Sequence, residues 1–218
     1  MGSGGPGGVA GTGGAGALGL RERKKRRTRQ ALSDAAVALF LEKGYDAVSV
    51  AEIAAAAEVS KPTLFRYFPA KEDLVLHRFA DHEDEAARVV TAARAAGTAP
   101  LDALHAHLLS GLDRRDPVTG LCDDPDVLAF HRLLYGTPAL VARLPTYRRR
   151  SEAALAAALG GDPLEARLAA GQIVAVLRIL AEENVDRIAG GATADALAGE
   201  AVAAAGRAFR TLREGLPY

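Results

Sequence analysis

The chain has 218 residues, 49% of them apolar, and contains one cysteine and no tryptophan. This length allows a substantial buried core in one or two domains, and the many alanines favour helices. The single cysteine, Cys122, cannot form an intramolecular disulfide, and no apolar run is long enough to span a membrane, which argues against a disulfide-stabilised or membrane-embedded protein. We expect a cytoplasmic protein, because the N-terminus also lacks the apolar segment of a signal peptide.

The formal net charge is zero, but the charges are unevenly distributed. Residues 21–68 carry ten Lys or Arg and six Asp or Glu, a net charge of +4, whereas residues 69–218 carry seventeen and twenty-one, a net charge of −4. A basic N-terminal part joined to an acidic body is typical of a DNA-binding domain attached to a domain of different function.

The first 20 residues contain ten glycines and no charge, a composition that predicts a disordered tail. Seven basic residues then follow between positions 21 and 29. They could be the solvated start of a helix or an arm that binds DNA phosphates. We favour the arm, with Arg26 and Arg27 as contacts, because the dipole at a helix N-terminus disfavours cations.

Three short helices are predicted next. The first ends at Gly44 in a left-handed cap, and Ser49 with Glu52 forms a capping box that starts the second. After a turn of about three residues, Ser60 caps a third helix with Pro62 in its first turn. This is helix-turn-helix spacing. We expect the helices to share a small core of Leu39, Phe40, Ile53, Val59, Leu64 and Phe68.

The third helix carries polar and basic side chains away from its buried face: Lys61, Thr63, Arg66 and Tyr67. Lysine and arginine can donate to guanine, threonine can contact a thymine methyl, and tyrosine can bond a phosphate. An ordinary exposed polar face is the alternative. Ser49 and Lys71 begin helices beside this one and suit phosphate anchoring. Phe65 could face the core or the DNA, and we expect it in the core.

Six further helices are predicted, and no strand-like alternation is found, so the expected fold class is all-α. Their approximate ranges are 71–96, 100–113, 125–135, 138–159, 163–189 and 193–213. No nucleophile elbow, phosphate loop or histidine pair with metal-ligand spacing occurs. We therefore expect no enzyme, no cofactor and no metal.

The last two helices carry apolar and small side chains at helical spacing, which would let two helices approach closely. Packing within one chain is the alternative, but we favour a homodimer. The predicted interface residues are Leu168, Gly171, Ala175, Ile179, Ala201, Ala205 and Phe209.

The stretch from Leu32 to Leu74, with the segment AVALFLEKGYDAVSVAEIAAAAEVSKPTLFRYFPAKEDL, closely resembles the N-terminal domain of the TetR family of bacterial regulators. One departure is Glu58, where the family often has glycine in the turn; a left-handed non-glycine residue costs about 1 kcal/mol. The resemblance implies about nine helices, a homodimer and a palindromic operator in double-stranded DNA. It also implies DNA contacts by Ser60, Lys61, Pro62, Thr63, Arg66, Tyr67 and Lys71.

The resemblance further divides the chain into a tail (1–20), a DNA-binding domain (21–70) and a ligand-binding and dimerisation domain (71–218). The segment 133–140, with the basic residues 148–150 after it, resembles a subgroup that senses acyl-CoA-like ligands. We expect a repressor released by a largely apolar small molecule; a constitutive DNA-binding protein without an effector is the alternative. The candidate ligand contacts are Phe130, His131, Leu134, Tyr135, Leu144 and Arg148.

Overall fold

The computed structural model describes residues 14–80 and 82–215. Within these ranges the chain forms eleven α-helices and one 3-10 turn, Pro117–Thr119, and no strand, which confirms the all-α prediction. The helices are α1 (Gly14–Lys43), α2 (Val50–Ala56), α3 (Lys61–Tyr67), α4 (Lys71–Ala80), α5 (Glu85–Ala95), α6 (Pro100–Asp113), α7 (Pro125–Gly136), α8 (Pro138–Val141), α9 (Leu144–Leu159), α10 (Pro163–Ala189) and α11 (Ala194–Glu214).

Helices α1 to α4 enclose the N-terminal core. The predicted core residues Phe40, Ile53, Leu64 and Phe68 are all buried, and Leu39 and Val59 pack against them partly buried. Phe130 and Leu134 of α7 and Leu140 of α8 belong to the same apolar cluster. The N-terminal unit is therefore packed directly against the rest of the chain.

Helix α4 is fixed to α1 by polar contacts as well as by packing. The buried Ser33 hydroxyl donates a hydrogen bond to the carbonyl oxygen of Leu74 at 2.7 Å. Nearer the end of α4, Arg78 forms an ion pair with Asp34 at 3.4 Å. A displacement of α4 must therefore move α1 or break these contacts.

The segment after α6 is held against α10. The amide of the buried Asn184 donates to the carbonyl oxygen of Thr119 at 2.9 Å. Gly120 has φ +71, and a Cβ atom at this position would lie 2.1 Å from the carbonyl oxygen of Ala181. Both the backbone conformation and the close approach to α10 therefore require glycine here.

The predicted disordered tail differs from the structure over residues 14–20, which form the first turns of α1, whereas residues 1–13 lie outside the described residues. Alanine and leucine alternate with glycine here, and adding turns to an existing helix is much easier than nucleating one. The basic run consequently lies inside α1. These cations therefore do not lie at a helix N-terminus, and the predicted position was wrong.

Two predicted helices are each broken in two, which changes nine helices into the eleven described. The predicted helix 138–159 is interrupted between α8 and α9, because Pro145 cannot lie in a helix interior and instead occupies the first turn of α9. The predicted helix 71–96 is interrupted between α4 and α5, where the amide of Glu85 donates to the carbonyl oxygen of His82 in a turn. No described helix is long and apolar enough to cross a membrane.

Candidate functional site

Helices α2 and α3 begin at the two serines predicted to cap them. The Ser49 hydroxyl accepts from the amide of Glu52 at 3.2 Å, and the Glu52 carboxylate accepts from the amide of Ser49 at 2.8 Å. The hydrogen bond from the Ser49 amide to the carboxylate, followed by the interaction of the carboxylate with the Ser49 hydroxyl, lowers the pKa of Glu52. The Ser60 hydroxyl accepts from the amide of Thr63 at 3.3 Å, and Pro62 lies in the first turn of α3. Both caps are confirmed.

The turn between α2 and α3 closes through Glu58, which has the left-handed φ of 54 expected for a position where glycine is frequent. The amide of the following residue, Val59, donates to the carbonyl oxygen of Ala54 at 2.9 Å. This hydrogen bond fixes the direction in which α3 leaves the turn.

Helix α3 buries Leu64 completely and leaves Lys61, Pro62 and Arg66 exposed. Thr63 and Tyr67 are half-buried; Thr63 shares a 2.9 Å hydrogen bond with the Ser60 hydroxyl, and the Arg66 guanidinium lies 5.6 Å from the centre of the Tyr67 ring. The exposed face of this two-turn helix therefore has a cationic side chain near each end, Lys61 at the N-terminal end and Arg66 at the C-terminal end. These are groups that can reach base edges and phosphates.

Phe65 is 41% exposed, so our expectation that it lies in the core was wrong. Consecutive helical residues point about 100° apart, and a two-turn helix that buries Leu64 and places Phe68 in the core turns position 65 outward. The side chain adds an apolar group to the same open side of α3.

The basic run divides into two kinds of residue. Arg26 and Arg27 are exposed, whereas Arg29 is half-buried. Arg29 donates to the carbonyl oxygen of Tyr67 at 3.4 Å and lies 5.9 Å from the centre of the Phe68 ring. It thus connects α1 to the end of α3, a role that helical spacing alone does not reveal.

Lys71 is engaged within the protein. Its half-buried ammonium donates to the carbonyl oxygen of Tyr45 at 2.5 Å and lies 4.2 Å from the centre of the Tyr45 ring and 5.2 Å from that of Phe40. The Tyr45 hydroxyl donates to the Glu72 carboxylate at 2.9 Å; burial, followed by this carboxylate, raises the pKa of Tyr45. A phosphate contact by Lys71 stays a prediction, and the structure adds a second role.

A cavity of about 130 Å³ lies in the C-terminal part of the chain, between α5, α6, α10 and the 3-10 turn. Its apolar wall includes Ala86, Leu104, Leu108, Val118 and Leu177. Its polar wall includes His82, Glu85, His107, Asp116 and Thr119. None of these residues was singled out as a ligand contact from the sequence, because they come from separate helices and carry no motif.

Glu85 is the centre of the polar wall. Its carboxylate pairs with Nδ1 of His82 at 2.7 Å and with Nε2 of His107 at 2.9 Å. The hydrogen bond to His82, together with His107, lowers the pKa of Glu85 to about 2 despite its partial burial. The carboxylate is therefore ionised at every physiological pH. No group of three or more His, Cys, Asp or Glu in the described ranges could hold a metal ion.

The six predicted ligand contacts do not line this cavity. Phe130 and Leu134 are buried in the core beneath α4, and Leu144 packs against that core. His131 is half-buried, and burial lowers its pKa. Tyr135 is exposed and Arg148 is half-buried. The sequence identified the apolar side chains of α7 but not that they pack into the N-terminal core.

Three predicted dimer residues, Ala201, Ala205 and Phe209, are buried inside the chain. They form the inner face of α11, so their prediction as interface residues was wrong. Leu168 and Ile179 of α10 are instead 57% and 55% exposed, and Gly171 and Ala175 between them are half-buried. Leu164 and, on α11, Val202 are further exposed apolar side chains: α10 leaves an open apolar face.

Comparison with known proteins agrees with this architecture. Residues 32–77 match the family described as bacterial regulatory proteins, tetR family. The chain is 38% identical over 126 residues to the HTH-type transcriptional regulator TcmR of Streptomyces glaucescens. This alignment covers 57% of this chain and 54% of TcmR. It is 42% identical over 52 residues to the uncharacterized HTH-type transcriptional regulator YdeS of Bacillus subtilis (strain 168), covering 24% of this chain and 26% of YdeS. The matches thus span about half of TcmR and a quarter of YdeS.

Among solved structures, NalD of Pseudomonas aeruginosa, the secondary repressor of the MexAB-OprM multidrug efflux pump, superposes with a TM-score of 0.54 at 19% identity, covering 84% of this chain and 97% of NalD. The fatty acid degradation regulator FadR of Bacillus halodurans superposes with a TM-score of 0.50 at 19% identity, covering 88% of this chain and 97% of FadR. At these identities the likeness concerns the fold. The N-terminal part of the chain, residues 32–77, thus resembles the DNA-binding domain of the TetR family, and the rest of the described chain shares the fold of these solved structures.

Proposed function

We propose that this chain is a repressor that binds operator DNA as a homodimer and is released by a small molecule. The observation that carries the proposal is the capped α2–turn–α3 unit, whose second helix leaves Lys61 and Arg66 exposed. A short helix with this face can enter the major groove, where lysine and arginine donate to guanine O6 and N7.

Residues around α3 supply the phosphate contacts in this proposal. Ser49 and Ser60 lie at the N-termini of α2 and α3, and helix N-termini attract phosphates. Arg26 and Arg27 are exposed on α1 and add positive charge that is independent of DNA sequence.

The open apolar face of α10 supports the homodimer. Leu164, Leu168 and Ile179 are large, exposed and separated by helical spacing, and Val202 is exposed on the neighbouring α11. A twofold contact would cover the same face on both subunits. Such a dimer presents two copies of α3 and matches an inverted repeat in the operator.

The cavity favours an effector over the constitutive alternative. It lies beside the α4–α5 break, and His82 of that break contacts Glu85 in the cavity wall. Because α4 is fixed to α1 by Ser33 and Arg78, a ligand that moves the break can move the DNA-binding unit. Linkage then requires the ligand and DNA to weaken each other equally, typically by about 1–3 kcal/mol.

Selection of bound sequences from randomised DNA duplexes tests the proposal. We expect the full chain to enrich one inverted repeat with half-sites about one helical turn or more apart. Failure to enrich any sequence, or enrichment of a single unrepeated site, would contradict it.

A further inference from the structure

We propose that the cavity between α5, α6 and α10 binds a small amine: a protonated amino group carried on an apolar body of about one ring. This inference rests on the proposed function, since it names the class of effector. Its evidence is the charge and the size of the cavity.

The charge of the cavity wall favours a cation. The wall contains two carboxylates, those of Glu85 and Asp116, and no lysine or arginine. The Glu85 side chain is only 23% exposed and that of Asp116 only 28%. The remaining titratable groups of the wall, His82 and His107, both already pair with Glu85. An anionic ligand would therefore lose its hydration beside the two carboxylates without gaining a cation of its own, whereas an ammonium would meet an opposite charge.

The Asp116 carboxylate has two partners within the protein, the Val118 amide and the Arg114 guanidinium. It accepts from the amide of Val118 at 3.1 Å, which holds the 3-10 turn in place. The nearby guanidinium of Arg114 lies 3.7 Å away and is largely exposed to solvent. The carboxylates of Glu85 and Asp116 thus both line the cavity and can accept hydrogen bonds from a ligand.

The size of the cavity limits the apolar body. Its volume of about 130 Å³ is close to that of an engineered protein cavity of about 150 Å³ that holds benzene. The apolar side chains of Ala86, Leu104 and Leu177 can cover such a ring. An acyl-CoA-like ligand is larger than this cavity and is anionic, and Arg148–Arg150 do not line this space, so that ligand stays a prediction that this cavity does not support.

An ammonium near Glu85 would also reach the α4–α5 break. Glu85 already accepts from His82 and His107, so a third, charged donor competes with the two imidazoles. Weakening the contact to His82 loosens the turn that joins α4 to α5. The Glu85 carboxylate therefore binds the ligand and also couples ligand binding to the position of α4 and the DNA-binding unit.

The test compares three probes of similar shape, 2-phenylethylamine, 2-phenylethanol and phenylacetate, by calorimetric titration of the full chain without DNA. We use pH 8, above the ordinary histidine pKa of about 6.5 and below the lysine-like ammonium pKa of about 10.4. The amine should bind at least about tenfold more tightly than the alcohol, and the acid should not bind. Equal or tighter binding of the acid, or no binding of the amine, overturns the inference.

Glu85→Gln keeps the size of the side chain and its ability to hydrogen-bond, and should weaken amine binding at least about tenfold while leaving alcohol binding unchanged. Glu183→Gln, on the exposed face of α10, is the matched control and should bind the amine like the parent. A thermal unfolding curve establishes that each variant is folded. Glu85→Gln binding the amine like the parent overturns the inference. DNA is absent, so these outcomes are separate from a failure to select an operator.

Discussion

Lys71 illustrates how a side chain suited to DNA phosphate also serves the fold. We expect Lys71→Ala to lower the free energy of unfolding by about 1–3 kcal/mol, because it removes a charged hydrogen bond to the Tyr45 carbonyl and cation–π contacts. The exposed Lys61→Ala should change it by less than about 0.5 kcal/mol. Denaturant unfolding of both variants measures this difference, and equal stability would contradict the structural role of Lys71.

Glu85 makes a pH-dependent contribution to stability. Its pKa of about 2 lies below the ordinary 4.5, so the ionised carboxylate stabilises the folded chain above about pH 4.5. That stability is lost as the pH falls to about 2. Glu85→Gln should therefore be less stable than the parent at pH 6, and the difference should shrink toward pH 2 in denaturant unfolding. A difference that is the same at both pH values would show that the charge of Glu85 contributes nothing.

At the scale of helices, local signals predicted the ends well. Asp162 and Thr193 accept hydrogen bonds from the first turns of α10 and α11, and prolines begin α6, α7 and α10, so these helices start within a residue of their predicted positions. Such signals are short-range and readable from the chain.

Long-range packing was not readable in the same way. Periodicity showed that Ala201 and Ala205 share a face, but not that α11 turns that face inward. His107 reaches Glu85, the partner of His82, only because α5 and α6 are adjacent in the fold. Which surface covers an apolar face, and which separated polar groups converge, depends on tertiary contacts.

A substitution at Gly120 tests whether the segment around the 3-10 turn packs closely on α10. Gly120→Ala should destabilise the chain by about 1–2 kcal/mol for its left-handed backbone and by about 1–3 kcal/mol more for overpacking against Ala181. Gly191→Ala is a matched control, because Gly191 also has positive φ but open space around its Cβ position. Thermal or denaturant unfolding compares them. Equal losses for the two variants would mean that the segment can move away from α10.

At the scale of the whole molecule, the proposed homodimer assembles through the open apolar face of α10. We expect light scattering to give the parent a mass twice that of the 22.6-kDa chain. Leu168→Glu should give the single-chain mass, because it places a charge on the open apolar face. Val141→Glu, an exposed apolar residue on α8, should remain a dimer. A monomeric parent, or a dimeric Leu168→Glu variant, would exclude this face.

In the proposed function the two ends of the chain have separate tasks, DNA binding and ligand binding, and α4 connects them. That helix is fixed to α1 through Ser33 and begins at Lys71, next to α3, while its other end meets the break beside the cavity. Every part of the proposed regulation presupposes that α3 reads DNA.

Fluorescence anisotropy with the selected operator tests that reading most directly. Lys61→Ala and Arg66→Ala should each weaken binding to the operator by about 1–3 kcal/mol, while binding to random DNA changes much less, because base contacts carry the specificity. Arg207→Ala, an exposed arginine of α11, should bind both DNAs like the parent. If Lys61→Ala and Arg66→Ala also bind the operator like the parent, α3 is not the helix that reads the sequence.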